Sequence, residues 1–302
     1  MNIIQVMKAY QDEASCRLKF KAVRDKADVS CKSCASNEHY WLKSKSKCQC
    51  NCCRFRTSLR SGTIMESSKL PFQYWFIAMY LMSSTKKSCS TCEIQRQLGH
   101  KRYEPIWAMM HKIRSAMGKR DKRYLLKETI EVDEGFFETV VPEDQKDEPR
   151  KRGRGSQKQT MALVFAESEL VEKTKKNRPS RACKYFKMVV MQSFDAQTAK
   201  GVISRHIEKN TTMISDGYKT YKALEKDFEK LITQKITANQ AHIKLPWVHT
   251  AIGNAKKVLQ GIFHRINPAF LQNYLDEFCY KLNRRYFGLN IFDRTLVACT
   301  LT

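Results

Sequence analysis

Two kinds of side chain in this 302-residue sequence have the type and spacing to do chemistry: paired cysteines near the start, and aspartates carried by short apolar runs. Cys31-Lys-Ser-Cys34, then fifteen residues, then Cys50-Asn-Cys-Cys53 has the two-knuckle spacing of a structural zinc site. Each Cys-x-x-Cys turn aims two thiolates at one tetrahedral ion, and the gap suits a hairpin joining the turns. Zinc would supply folding energy that so small a segment cannot draw from apolar burial. Cys48 and Cys52 sit beside the second turn, so the choice of Cys50 and Cys53 rests on their two-residue gap. Cys89-Ser-Thr-Cys92 repeats the spacing with no second pair nearby. Ser90 and Glu93 ahead of Ile94 and Leu98 form a helix-start pattern there, so these two cysteines are expected not to be ligands.

The aspartates need more context. Thr129-Ile-Glu-Val-Asp-Glu-Gly-Phe-Phe137 alternates as a strand and delivers Asp133 near its middle. Thr212-Met-Ile-Ser-Asp-Gly-Tyr218 ends a second apolar strand on Asp216, with Gly217 turning into a helix rich in Tyr and Lys. Carboxylates on adjacent strands can converge, and two of them would hold Mg²⁺ ions about 3.5–4 Å apart for work on a phosphate ester. Taken singly, an aspartate at a strand end is more often a turn cap or a surface carboxylate.

Composition divides the chain around these residues. Residues 1–25 read as a charged helical lead-in, 26–58 as a zinc ribbon, 68–118 as a helical module, and 125–302 as a mixed α/β catalytic domain in which apolar strands precede helices. Lys and Arg number 55 against 30 Asp and Glu, a formal charge of +25, which favours a polyanionic partner. A membrane surface fits less well than nucleic acid, because no lone basic amphipathic helix or lipidation signal is present. Residues 1–19 lack the order of a signal peptide, and the apolar run 70–82 is too short and too broken to span a bilayer, so a soluble intracellular protein is expected.

Within 68–118, a helix to Leu98, a stop at Gly99 and a second helix with Pro105 in its first turn match a helix-turn-helix. It would present Lys101, Arg102, His111, Lys112 and Arg114 to DNA; the plainer reading is a helical hairpin with a solvated basic face. The run Arg150, Lys151, Arg152, Arg154 and Lys158 reads as the tip of a strand hairpin, a basic finger for phosphate contact rather than a merely solvated loop. Leu271, Tyr274, Leu275, Phe278 and Tyr280 mark the core face of a late helix, where Asp276 and Glu277 have Arg284 and Arg285 as nearby partners.

Four phrases occur in order: Glu131-Val-Asp-Glu-Gly135, Arg152-Gly-Arg-Gly-Ser-Gln-Lys-Gln159, Ser215-Asp-Gly-Tyr218, and Leu271-Gln-Asn-Tyr-Leu-Asp-Glu-Phe-Cys-Tyr-Lys-Leu-Asn-Arg-Arg285. Arg60-Ser-Gly-Thr-Ile-Met65 and Gln95-Arg-Gln-Leu-Gly99 precede them. By order and spread, over about residues 26–290, the chain resembles the insertion-sequence transposases of the ISXO-like DDE branch. The resemblance implies an RNase H-like fold with Asp133 on its first strand and Asp216 just after its fourth. It also implies a third metal-site residue on the helix through His249 to Lys257. Most DDE enzymes have Glu there; this chain has Asn254, followed by Lys256, as a branch of the family does. Asparagine coordinates through its carbonyl oxygen but brings no charge, so a second metal would be held more weakly. His249 would touch phosphate, orient a water or simply pack, and Lys256 would meet a DNA phosphate.

The function implied is Mg²⁺- or Mn²⁺-dependent cleavage and strand transfer at the ends of an insertion sequence. The partners would be double-stranded DNA with terminal inverted repeats and target DNA, met by a homo-oligomer in the bacterial cytoplasm at the nucleoid. The alternative is a catalytically inactive or repurposed zinc-ribbon DNA-binding relative, motivated by Asn254. A zinc-ribbon transcription or replication accessory factor would leave the α/β segment idle.

Overall fold

The computed structural model describes residues 2–26, 30–170, 181–193, 195–216, 221, 230–234 and 244–300. Gly217 and Tyr218, with the turn and helix expected there, lie outside the described residues. The chain divides into two units, residues 1–120 with 284–302, and residues 121–283.

The first unit contains α1 (Ile3–Ala9), α2 (Glu13–Asp25), β1 (His39–Leu42), β2 (Lys47–Cys50), β3 (Arg56–Ser58), α3 (Phe72–Ser84), α4 (Thr91–Leu98), most of α5 (Tyr103–Asp121) and the last helix, α9 (Ile291–Thr300). The three short strands form an antiparallel sheet in the order β1-β2-β3. Little apolar surface is buried there, so polar ties hold it. Arg24 on α2 donates to the carbonyl oxygens of Ser58, Leu59 and Ser61, stitching the end of the small sheet to the helix. Arg60 donates to the carbonyls of Ser68 and Leu70 and stacks 4.5 Å over the Phe72 ring. A guanidinium does this work because its planar fork satisfies several carbonyls at once.

Ser90 caps α4 by accepting from the Glu93 N–H at 3.1 Å, and Gly99 ends the helix at φ +63°, a left-handed position that favours glycine. Gln95 then donates to the carbonyls of His100 and Lys101, shaping the turn that exposes Lys101 and Arg102.

One expectation for α5 is overturned. His111 and Arg114 are buried rather than presented outward, because the buried face of the helix is broad enough to include them among Ile106, Met109, Met110 and Ile113. His111 lies 4.1 Å from the Trp107 ring, and Lys112, which stays exposed, donates to the Glu66 carbonyl.

A second correction concerns the last residues. The α/β unit ends at Asn283 instead of running to 302. The apolar stripe Phe292, Leu296 and Cys299 of α9 is buried within the first unit, with the Phe292 ring centroid 5.8 Å from that of Tyr10 in a tilted contact and, edge to face, 5.9 Å from Phe76 and 6.1 Å from Tyr80.

The second unit is a mixed five-stranded sheet with helices on both faces. Its strands are β4 (Thr129–Glu138), β5 (Gln159–Leu170), β6 (Arg181–Val190), β7 (Thr212–Asp216) and β8 (Lys230–Gln234), in the order β6-β5-β4-β7-β8. The first three pair antiparallel, whereas β4–β7 and β7–β8 are parallel. Helix α6 (Ala196–His206) covers one face through Ala199 and Ile203, against Ile130, Val132, Phe165 and Met213. Helices α7 (Pro246–Ile262) and α8 (Leu271–Asn283) cover the other through Val248, Ala251, Ala255, Leu271, Leu275 and Phe278, against Phe137, Val164 and Phe186. Glu277 on α8 is 3.8 Å from Lys281, one turn further along the helix.

Among the described residues, the edge strand β6 is met by α8 side chains rather than by another strand. Gln272 accepts from the Val190 N–H and donates to the Met188 carbonyl; Asn283 accepts from the Phe186 N–H and donates to the Phe186 carbonyl. Eleven residues apart, the two amides lie on one stripe of the helix, which satisfies an edge that would otherwise recruit another strand. Asn283 also donates to Asp121 at 3.0 Å, joining the first and last residues of the unit.

Candidate active site

Strand alternation divides β4 between the two faces. Ile130 and Val132 enter the α6-side core, while Phe137, of the same parity as Glu131 and Asp133, enters the α7-side core. The parallel register sets Val132 opposite Ser215, so Asp133 and Asp216 come one step further along their strands, at the end of β7. Oxygens of Asp133, Glu134 and Asp216 all lie within 4.8 Å of one another. At that spacing, like charges repel by about 3 kcal/mol per pair at an effective dielectric near 20, so the arrangement favours a counter-charge. Around a six-coordinate Mg²⁺, ligand oxygens stand about 3 Å apart when adjacent and about 4 Å when opposite, so an all-oxygen donor set of this size suits a hard divalent cation.

Each carboxylate has its own support. Asp133 Oδ1 accepts from the Glu134 N–H at 2.8 Å, and its Oδ2 is 3.5 Å from His249 Nε2. Glu134 is buried, with Oε1 accepting from the Tyr221 hydroxyl at 2.6 Å. Tyr221 is itself fully buried; burial first, then the charge of Glu134, raises its phenol well above the ordinary value.

Glu131 does a different task. Its Oε2 accepts from the backbone N–H groups of Trp247 and Val248 at 2.8 and 2.9 Å. The residue at the cap position of α7, Leu245, offers no side-chain bond, so a strand carboxylate satisfies the open helix end. Burial pushes Glu131 up to about 7 against the pull of these two hydrogen bonds. Glu131→Ala is expected to destabilise the unit by about 2–4 kcal/mol, since one buried and one part-buried backbone donor lose their acceptor, whereas Glu131→Gln keeps an acceptor oxygen and most of the stability. Urea melts of the two variants check this; equal loss in both would remove Glu131 from the helix-anchoring role.

Helix α7 so anchored carries His249, Asn254 and Lys256. Asn254 is exposed and lies about 140° around the helix from His249, the residue that meets Asp133. It shares the flank of Trp247 and Val258, which pack on the α7–α8 core. Lys256 lies on the His249 flank. The neighbour of Asp133 on this helix is therefore His249, a residue for which the sequence left phosphate contact, water orientation and packing all open.

Beyond the carboxylates, a cleft of about 1160 Å³ opens between the β4–β5 connection and the second half of α7. Arg150, Lys151, Arg152 and Lys158 line one wall; Lys256, His264 and Arg265 line the other, with Glu138 and Glu148 also present. Gln157 closes the tip by accepting from the Lys151 N–H and donating to the Pro149 carbonyl. Arg154 lies in the turn Gly153–Gly155, and its side chain is outside the described residues. His264 and Arg265 follow the helix, where no sequence pattern marks them as part of a site.

In the other unit, the structure brings together Cys31, Cys34, Cys50 and Cys53, all four sulfurs within 4.8 Å of one another. Cys31–Cys53 and Cys34–Cys50 are each 3.5 Å apart, close to the roughly 3.8 Å edge of a tetrahedron with Zn–S bonds of about 2.3 Å. The backbone N–H groups of Cys53 and Cys52 hold the Cys50 thiol down to about 6, which favours the ligating thiolate. Cys48 lies on β2 opposite Trp41 and Thr57, and Cys52 is 3.3 Å from Ser36 Oγ; neither joins the four. Cys89 is buried and Cys92 exposed, both outside the cluster. Among the described residues no helix is long and apolar enough to cross a membrane.

Residues 125–283 match the family model described as the ISXO2-like transposase domain, a span that falls within the second unit. No curated protein matches the chain.

Proposed function

The chain belongs to the ISXO2-like transposase family, and from that premise we propose that it is a divalent-metal-dependent DNA transposase acting at the ends of an insertion sequence. The observation that carries this reading is the convergence of Asp133, midway along β4, with Asp216, at the end of the adjacent parallel strand β7, their oxygens inside 4.8 Å. The sheet also supports an RNase H-like reading. Three antiparallel strands are followed by two parallel ones, with Asp133 on the first and Asp216 closing the fourth.

Mg²⁺ or Mn²⁺, when bound, would polarise the scissile phosphate and lower the cost of forming the attacking oxygen nucleophile. The protein's part is to hold and orient. Asp133 and Asp216 hold the cation, and His249 steadies the Asp133 carboxylate from α7. Asn254 is kept as the third site residue on the family resemblance alone. Lys256 and the basic connection through Arg150, Lys151, Arg152, Arg154 and Lys158 grip the DNA backbone, which fixes register without reading sequence. The four cysteines hold Zn²⁺ in a ribbon that, with Lys101 and Arg102 on the α4–α5 turn, adds DNA contacts outside the catalytic unit.

Water attacks the phosphodiester at each element end, breaking its P–O3′ bond to free a 3′-hydroxyl and leave a 5′-phosphate; that hydroxyl then attacks a target phosphodiester and displaces the target's 3′-hydroxyl. Two ends must be held at once, which calls for at least a dimer on double-stranded DNA. The test is scission of duplexes carrying the element's terminal inverted repeats by purified protein with Mg²⁺. Tight binding without scission in either Mg²⁺ or Mn²⁺ would favour the inactive DNA-binding alternative.

A further inference from the structure

Asn254 leaves a charge deficit at a site built for cations, and a neighbouring residue can make it good. We propose that Glu134 is a third carboxylate ligand of the divalent-metal site, held in place by the Tyr221 hydroxyl. The inference rests on the metal-dependent reading above and names a ligand that the reading does not contain.

Three observations carry it. Oxygens of Glu134, Asp133 and Asp216 fall within 4.8 Å of one another, a set small enough to share one or two hard cations. Glu134 is only 8% exposed, so its charge is placed where it gains little from solvent and most from a bound cation. Finally, Tyr221 donates to Glu134 Oε1 at 2.6 Å from a fully buried position, which pins the carboxylate in one orientation. A purely structural partner for a buried phenol could be any neutral acceptor. A carboxylate beside two others is a costly choice unless a cation is there to be bound.

The alternative third group is less well set. Asn254 is exposed, neutral, and on the flank of α7 turned about 140° from His249. Adjacent strand residues point to opposite faces, which is why Glu134 is not read as a partner of Asp133 from alternation alone. Past Val132, however, the β4–β7 pairing has ended, and the long Glu134 side chain brings an oxygen within 4.8 Å of both aspartates.

The test is Mn²⁺ binding to the full chain without DNA, by isothermal titration calorimetry, alongside thermal melts. Glu134→Gln keeps an acceptor for Tyr221 but removes the charge; it and Asp133→Asn are each expected to weaken Mn²⁺ by about tenfold or more with melting near the parent. Should Glu134→Gln fail to fold, Glu134→Asp decides. Its shorter reach is expected to weaken Mn²⁺ by about threefold or more, and parent-level binding would overturn the assignment. Parent-level binding in Glu134→Gln with weakening in Asp133→Asn would leave Glu134 as a structural partner of Tyr221 and overturn this inference alone. If the parent binds no Mn²⁺, or Asp133→Asn binds it unchanged, the metal-dependent reading of the site fails with it.

Discussion

Asp133→Asn is expected to abolish scission of terminal-repeat DNA, lowering the rate by about 10³-fold or more, and Asp216→Asn should do the same. The reason lies in what each carboxylate contributes. Both sit where the sheet register forces convergence. Asp133 meets the Glu134 N–H and His249, and asparagine keeps an oxygen for the first of these. The fold should therefore survive, and relief of repulsion among three close carboxylates should leave the melting temperature at or above that of the parent. Residues that act as one unit are not additive, so the double variant should fall little below either single one. Loss of activity together with loss of the folded state would mean that these aspartates are structural.

The second large effect concerns zinc. The purified chain is expected to hold one Zn²⁺, and a strong chelator should unfold residues 31–58 while leaving residues 121–283 protected from protease. Structural zinc contributes on the order of 10 kcal/mol to such a segment, and the three strands there are only 4, 4 and 3 residues long. Single Ser substitutions at Cys31, Cys34, Cys50 or Cys53 should each lose the metal. Cys48→Ser and Cys52→Ser should keep it, since those sulfurs lie outside the cluster. Elemental analysis of the variants reads this directly; zinc retained after Cys50→Ser but lost after Cys52→Ser would move the register by two residues.

What could be read from the sequence was local. A Cys-x-x-Cys turn fixes two sulfurs within four residues, and strand alternation around Asp133 fixes its face, so the four-cysteine cluster and the two aspartate strands were legible. The basic connection was legible too, since it is one continuous run. Contacts between distant segments were not. Glu131 meets residues 116 and 117 positions later, Glu134 meets Tyr221 87 positions later, and His249 meets Asp133 across a similar gap. Each looked like an ordinary acid or histidine because nothing beside it in sequence reveals its partner.

The two corrections have the same origin. Arg114 and His111 carry charge-bearing side chains on a helix whose buried face is broad, and only tertiary packing decides that they turn inward. The stripe Phe292, Leu296 and Cys299 predicts an amphipathic helix but not which core will receive it, and the receiving core lies at the other end of the chain.

As proposed above, this chain cuts DNA at defined ends with the help of a divalent cation. The most direct measurement incubates the purified full chain with duplexes bearing the element's terminal inverted repeats, in Mg²⁺, in Mn²⁺ and in chelator, and maps the product ends at nucleotide resolution. Cuts at the element boundary that leave a 3′-hydroxyl, need the cation and vanish in Asp216→Asn are the predicted result. Tight, specific binding with no cation-dependent cut, or cuts that persist in Asp216→Asn, would contradict it.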